Sequence, residues 1–290
     1  MSPAVVIDKW FKDIIVDPLS KENLIWNSKT APHSSYGRRY FCDTNRGIYD
    51  FKVLLSSSTP DQKRWQEGQV ADEALSLDIA KHDGIVDYKA EIDGMRPVYE
   101  AIPIVGRCLD IGGHQGRLRH FLAPDQEYAS CDPFVGVFDD LESQPKLLEA
   151  YPFLREPVNF VCCNAEFLPF ASETFDVAHM RSVMDHFLNP ELSLHESYRV
   201  LRKSGYLVVG LHIEGGLSGS LSLWRRLRVL ARKGLGALGL TKFIDHHVWH
   251  PSYEGLTTLI KLCGFEVVTE YWQDKEVVYL KAVKVVSDRE

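Results

Sequence analysis

The sequence predicts an α/β protein with a doubly wound, mostly parallel sheet. Three features lead there. Arg107–Leu118 runs from a short apolar stretch through Asp110 into a glycine-rich turn, Gly112-Gly-His-Gln-Gly116. Glu127–Cys131 is a second apolar stretch, and it stops at Asp132, followed by Pro133. Strand-like and helix-like segments then alternate as far as Leu211, which implies right-handed crossovers and parallel pairing.

In such a fold the first strand delivers the chain to the carboxyl edge of the sheet. Glycines there let the backbone approach a ligand without Cβ clashes. A helix start beyond them offers unpaired N–H groups to an anionic ligand. Asp132 stands about 20 residues past the turn, where a doubly wound fold sets the acceptor for ribose hydroxyls. A third strand is expected over Val158–Cys163, a fourth over Thr174–His179 and a fifth over Ser204–Leu211. Phe265–Trp272 and Glu276–Val285 read as a closing hairpin. The glycine turn lacks the G-x-G-x-x-G spacing of a dinucleotide site, and no P-loop occurs.

From about Gly106 to Leu211 the chain resembles the class I S-adenosylmethionine-dependent methyltransferases of type 11. The matching segments are Leu109–Gly116, the strand end at Asp132, Asn164–Phe170, Phe175–Val177 with Val183–His186, and Tyr198–Val208. The resemblance implies an enzyme using S-adenosylmethionine, on a Rossmann-like seven-stranded sheet whose last strand is antiparallel. It further implies that Asp110, Gly112, Gly113 and Gly116 frame the methionine end of the cofactor. Asp132 would take the ribose, and Asn164, Ala165 and Glu166 would border the adenine. Two positions depart from the family pattern. His114 replaces the central glycine of its G-x-G-x-G turn, and Asn164 replaces the usual acidic residue at the adenine position. An asparagine can both accept from and donate to an adenine edge.

The first 55 residues read as a separate small module. Ile15–Leu24, Tyr36–Phe41 and Arg46–Phe51 resemble the zinc-ribbon-like lead module found ahead of some methyltransferases. The presumed ligand positions hold Asp17, Ser20, His33 and Tyr36. A structural zinc site wants thiolates and imidazoles, so a module without metal is expected, packed through Leu19, Leu24, Tyr40, Ile48 and Phe51. Residues 56–105 form a helical bridge. Thr59, Pro60 and Gln62 open its first helix as cap, first-turn proline and N3 residue, and a second helix is expected near Arg96–Ile104. The bridge serves either as a lid or as plain packing against the sheet.

The methyltransferase-like domain spans 106–290, with an insertion at 212–250. It begins with the glycine-rich exit His212–Ser220. Leu217, Leu221, Trp224, Leu227 and Leu230 then fall on one helical face, and Arg225, Arg226, Arg228, Arg232 and Lys233 on the other. That basic face is either merely solvated or a patch for an anionic acceptor, with peripheral membrane contact through 217–233. His212, His246, His247 and His250 follow no standard zinc spacing, and no metal is expected there.

Methyl transfer from a sulfonium depends chiefly on holding acceptor and methyl group together. An oxygen acceptor must also lose its proton, a task suited to histidine. His186, just past the fourth strand, is the first candidate, His212 the second, and Asp185 can orient or replace either. The expected reaction is O-methylation of a small molecule, glycan or lipid-linked acceptor entering beneath 212–250. Two rival readings remain, a catalytically inactive methyltransferase fold that binds a partner and an RNA methyltransferase.

Length and composition agree with a cytoplasmic enzyme. The 290 residues, 45% hydrophobic and 25% charged, are enough for one large domain and a smaller one. The net charge of −7 opposes a general nucleic-acid surface. Cys42, Cys108, Cys131, Cys162, Cys163 and Cys263 show no framework spacing and read as reduced thiols. The N-terminus, with Asp8, Lys9, Lys12 and Asp13 close together, lacks the apolar run of a signal peptide.

Overall fold

A computed structural model describes residues 4–219 and 247–286, except 28–29, 44–45, 54–58, 83, 85, 135, 137 and 139–140. Near the N-terminus, α1 (Lys9–Asp13) precedes an antiparallel pair, β1 (Ile25–Asn27) and β2 (Thr30–His33), and a second one, β3 (Phe41–Asp43) and β4 (Ile48–Asp50). Two helices follow, α2 (Pro60–Lys81) and α3 (Tyr88–Ala101). The chain then enters β5 (Cys108–Ile111), β6 (Tyr128–Asp132), β7 (Phe160–Cys162), β8 (Phe175–Arg181) and β9 (Leu201–His212). Helix α4 (Pro145–Ala150) lies between β6 and β7, and α5 (Pro190–Val200) between β8 and β9. Helix α6 (Tyr253–Leu262) leads to the closing hairpin, β10 (Phe265–Gln273) and β11 (Val277–Lys284).

These strands form one sheet in the order β10-β11-β9-β8-β5-β6-β7-β4-β3. Pairing is parallel from β9 through β4, and β11 runs antiparallel between β9 and β10. The expected seven strands are therefore β5–β11, with the last antiparallel. The residues of β5, β6 and β7 are all buried, as a parallel sheet covered on both faces requires.

The hairpin β3–β4 extends this sheet past β7, so the N-terminal residues add two strands to the edge. One of the supposed zinc positions has other work. Asp17 is buried and accepts hydrogen bonds from the Leu19 and Ser20 amides at 2.8 and 2.9 Å and from the Tyr40 hydroxyl at 2.6 Å. Burial alone would raise its pKa, but these donors and Arg38 hold it below the ordinary carboxylate value. Tyr36 is exposed.

Two helical expectations change. Only a short 3₁₀ segment, Arg117–Phe121, follows the glycine turn. The second bridge helix begins earlier than expected because the Asp87 side chain caps it at the Ala90 amide, and it stops at Ile102 ahead of Pro103. Of the 212–250 insertion, residues 212–219 and 247–250 are described. The leucine and arginine faces beyond Leu217 and His246 lie outside the described residues. No helix among the described residues is long and apolar enough to cross a membrane.

Candidate functional site

Because β5 through β8 are parallel, their carboxyl ends reach the same edge of the sheet. The chain winds outward in opposite directions from β5, with β6 on one side and β8 on the other. Ligands of open α/β sheets bind at such a switch point. A cavity of about 270 Å³ lies there. Four loops wall it: Gly112 and His114 after β5, Asp132 to Phe134 after β6, Asn164 to Glu166 after β7, and Ser182, Val183, His186 and Phe187 after β8. Trp65 and Gln69 of α2 complete it, so this part of the bridge covers the cavity. A second cavity of about 330 Å³ shares Trp65, Asn164 and Glu166 with the first.

The glycine turn is tight. Gly112 has φ +70°, and a Cβ there would stand 2.5 Å from Val183 Cγ1. Gly112→Ala combines an unfavourable backbone region with that clash. It is expected to destabilise the protein by more than about 1 kcal/mol, measured by chemical denaturation; an unchanged midpoint would show that the turn relaxes freely. His114 also occupies left-handed backbone, φ +49°, and so keeps the geometry that glycine would adopt without strain. Its ring meets Phe134 edge-on at 6.4 Å, and burial lowers its pKa to about 4, which leaves it neutral at pH 7. Ser182, φ +53°, is a second non-glycine residue in this region on the cavity wall. Such strain gathers at functional sites.

Asp132 is buried, and its carboxylate accepts from the His114 amide at 3.2 Å and the Phe134 amide at 3.1 Å. Burial outweighs these bonds and pushes its pKa up to about 7. Asn164 Oδ1 accepts from the Val53 amide at 2.9 Å, which ties the N-terminal segment to the cavity floor. Glu166 Oε1 accepts from the Asn189 amide at 3.1 Å, and burial raises its pKa.

Of the residues expected around a cofactor, Gly112, Asp132, Asn164, Ala165 and Glu166 line the cavity. Asp110, Gly113 and Gly116 do not. The Asp110 carboxylate turns inward beneath the turn, accepting from the Tyr128 hydroxyl at 2.9 Å and lying 2.7 Å from His179 Nδ1. The other ring nitrogen of His179 meets the Tyr99 hydroxyl at 3.1 Å. All four side chains are buried. Among the candidate bases, His186 lines the cavity with Asp185 beside it, their Nε2 and Oδ1 4.0 Å apart. His212 does not reach it: its side chain is 58% exposed and lies 3.6 Å from Glu276.

The sequence reading missed Arg181 and Gln69. Arg181 continues β8 beside Gly112, because Ile111 pairs with Met180 in register. It shares Glu91 with Arg117 at 3.1 and 3.2 Å. Burial would raise the Glu91 pKa, yet the two guanidiniums hold it below the usual value. Gln69 Oε1 is buried with no hydrogen-bond partner among the described residues. No local pattern marks either residue.

Comparisons with known proteins agree with this architecture. The family model described as a methyltransferase domain matches residues 109–209. Over 114 residues the chain is 30% identical to the mitochondrial 2-methoxy-6-polyprenyl-1,4-benzoquinol methylase of Caenorhabditis elegans, covering 37% of this chain and 38% of that one. Over 52 residues it is 40% identical to the ubiquinone/menaquinone biosynthesis C-methyltransferase UbiE of Blochmanniella floridana, covering 18% and 20%. The aligned parts thus span well under two thirds of these curated relatives. The solved structure of the (4+2)-cyclase SpnF superposes with a TM-score of 0.50 at 15% identity, covering 81% of this chain and all of that one, which shows a shared fold.

Proposed function

We propose that this chain, whose residues 109–209 belong to the methyltransferase domain family, transfers a methyl group from S-adenosylmethionine to a hydroxyl of a small-molecule acceptor. The observation that carries the reading is the cavity at the carboxyl edge, with a buried carboxylate at one strand end and a histidine at another.

The residues present fit the cofactor. Asp132 is a buried acceptor for ribose hydroxyls. Gln69 Oε1, orphaned on the cavity wall, suits a donor such as an amine or hydroxyl. Arg181 supplies a cation for the methionine carboxylate beside the glycine turn. When bound, the sulfonium supplies an electrophilic methyl group. The protein's own part is to hold the acceptor in line, exclude water with α2, and promote loss of the hydroxyl proton through His186 and Asp185. Trp65, Phe134 and Phe187 give the walls an aromatic character, which suits a flat apolar acceptor better than a sugar.

A second reading follows from the two curated relatives, whose names describe methylation of a benzoquinol and of carbon. A phenolic acceptor, once deprotonated, can react at oxygen or at a ring carbon. Calorimetry with S-adenosylmethionine, then methyl transfer into fractionated lysate with product analysis, separates these readings. A product methylated at oxygen supports the first and a ring-methylated product the second. Absence of cofactor binding at millimolar concentration would remove both.

Asp132→Ala is expected to weaken cofactor binding by about 1.5–3 kcal/mol, the loss of charge-assisted bonds. The wild-type affinity should fall as pH drops through about 7, where Asp132 protonates. The stability of the unliganded protein is expected to follow the opposite trend. Asp132 in the unfolded chain ionises near pH 3.9, so between about 4 and 7 only the folded state holds this proton, and its contribution to stability declines as pH rises through that window. Asp132→Asn should therefore be more stable than wild type above pH 7 while binding the cofactor more weakly. A pH-independent affinity would show that Asp132 does not touch the ribose.

A further inference from the structure

Beside the residues assigned to the cofactor, one group of side chains, His186 of the cavity wall among them, has the chemistry of a metal site. Asp185, His186 and His247 each offer a ligand atom, and these atoms lie within 4.8 Å of one another. No other such group occurs among the described residues. We propose that these three residues bind a first-row divalent cation, zinc or one of similar size, at the acceptor end of the cavity.

Two parts of the chain, 61 residues apart in sequence, are locked together to form this cluster. The Val248 and Trp249 amides both donate to the Asp185 carbonyl oxygen, at 2.9 and 3.3 Å. Those bonds set His247 against the turn that carries Asp185 and His186. The two imidazole rings lie 4.5 Å apart between centroids. His247 Nε2 stands 3.5 Å from Asp185 Oδ2, and His186 Nε2 stands 4.0 Å from Asp185 Oδ1. Two ligands of one tetrahedral zinc ion are about 3.4 Å apart, given bonds near 2.1 Å. The 3.5 Å separation is near that spacing, while the 4.0 Å one runs to the other carboxylate oxygen, so bringing one oxygen and both imidazole nitrogens from within 4.8 Å to that spacing takes rotation of the side chains.

Electrostatics favours a cation here. The Asp185 side chain is 16% exposed, and its Oδ1 is buried with no hydrogen-bond partner among the described residues. A carboxylate oxygen in that position lacks the donor that burial normally demands, and a cation would satisfy it. Two imidazoles and a carboxylate leave coordination positions open, as in catalytic rather than structural sites. His186 is part of the cavity wall, so those positions adjoin the space for the acceptor. The ring of His250 lies 5.6 Å from that of His247.

The chemical role rests on the methyltransferase reading above. An acceptor hydroxyl bound to the cation is acidified, as metal-bound water is, and its proton passes to solvent. The oxygen lone pair then forms the new bond to the methyl carbon, and the carbon–sulfur bond breaks with its electron pair left on sulfur.

The test uses the tag-free full chain, stripped with chelator and titrated with Zn²⁺ by calorimetry and with Co²⁺ by visible absorption. Stoichiometric binding is expected. Asp185→Asn and His247→Gln should each weaken it by more than the roughly 10–100-fold cost of losing a mere supporting contact. His195→Gln, which alters a surface histidine near Glu191, should leave it unchanged. If Asp185→Asn fails to fold, His247→Gln decides, since its side chain is 39% exposed. No Zn²⁺ binding by the wild type, or unaltered binding by His247→Gln, overturns the proposal. Cofactor affinity, measured separately without metal, tells failure of this site from failure of the methyltransferase reading.

Discussion

Truncating His186 to alanine is expected to lower kcat by about 10²–10⁴, the usual share of a positioned proton-transfer group, with cofactor affinity close to wild type. The imidazole lines the cavity after β8, on the wall shared with Val183 and Phe187. Asp132, the expected ribose ligand, closes the cavity after β6 instead. Loss of His186 should therefore spare the cofactor. A free imidazole acting as base and an imidazole holding a cation both predict the drop, but they differ in their signatures. A base yields an acidic limb in the pH–rate profile that disappears in the variant, whereas a cation makes the wild-type rate sensitive to chelation. A kcat within a few-fold of wild type would remove His186 from the chemistry and direct the search to the cavity shared by Thr59, Gln62 and Leu192.

Asp110→Ala is expected to destabilise the fold by several kcal/mol, because it strands two buried groups at once. The Tyr128 hydroxyl loses the acceptor for its proton and His179 Nδ1 loses its partner, and a stranded buried group costs about 1–3 kcal/mol. Tyr99, on the far side of His179, loses the support that keeps that ring in place. The network also sits directly under the glycine turn: a Cβ on Gly113 would lie 2.6 Å from Asp110 Oδ2. Weakened cofactor binding should therefore accompany the loss of stability, through disorder of the turn rather than through a lost contact. Urea denaturation of the variant checks the first part. A loss below about 1 kcal/mol would mean that water enters and replaces the carboxylate.

The order of the chain alone determined the parallel strands and the edge at which they end. A strand is recognisable from a short apolar run, and its end from the acidic residue or glycine that follows, so β5, β6 and the turn at Gly112 were legible locally. The capped start of α2 was legible for the same reason, since Thr59, Pro60 and Gln62 act within one helical turn. Asp132 and Asn164 could be placed because each directly follows a strand that the pattern reveals. The glycine turn was located correctly, but its following helix was not. Only a 3₁₀ turn forms there, which hydrophobic spacing cannot distinguish from the first turn of a longer helix.

Only the tertiary structure decided which polar groups face the ligand and which face the core. Asp110 reads like a cofactor residue from its place in the motif, yet Tyr128 and His179 draw its carboxylate inward from neighbouring strands. His212 reads like a base at the mouth of β9, but antiparallel pairing with β11 carries it out beside Glu276. Arg181, Gln69 and the cluster of Asp185, His186 and His247 arise from segments distant in sequence, brought together by crossovers and by backbone hydrogen bonds. Their meeting depends on strand register and on how α2 crosses the sheet edge, and a one-dimensional pattern of apolar and polar residues carries neither.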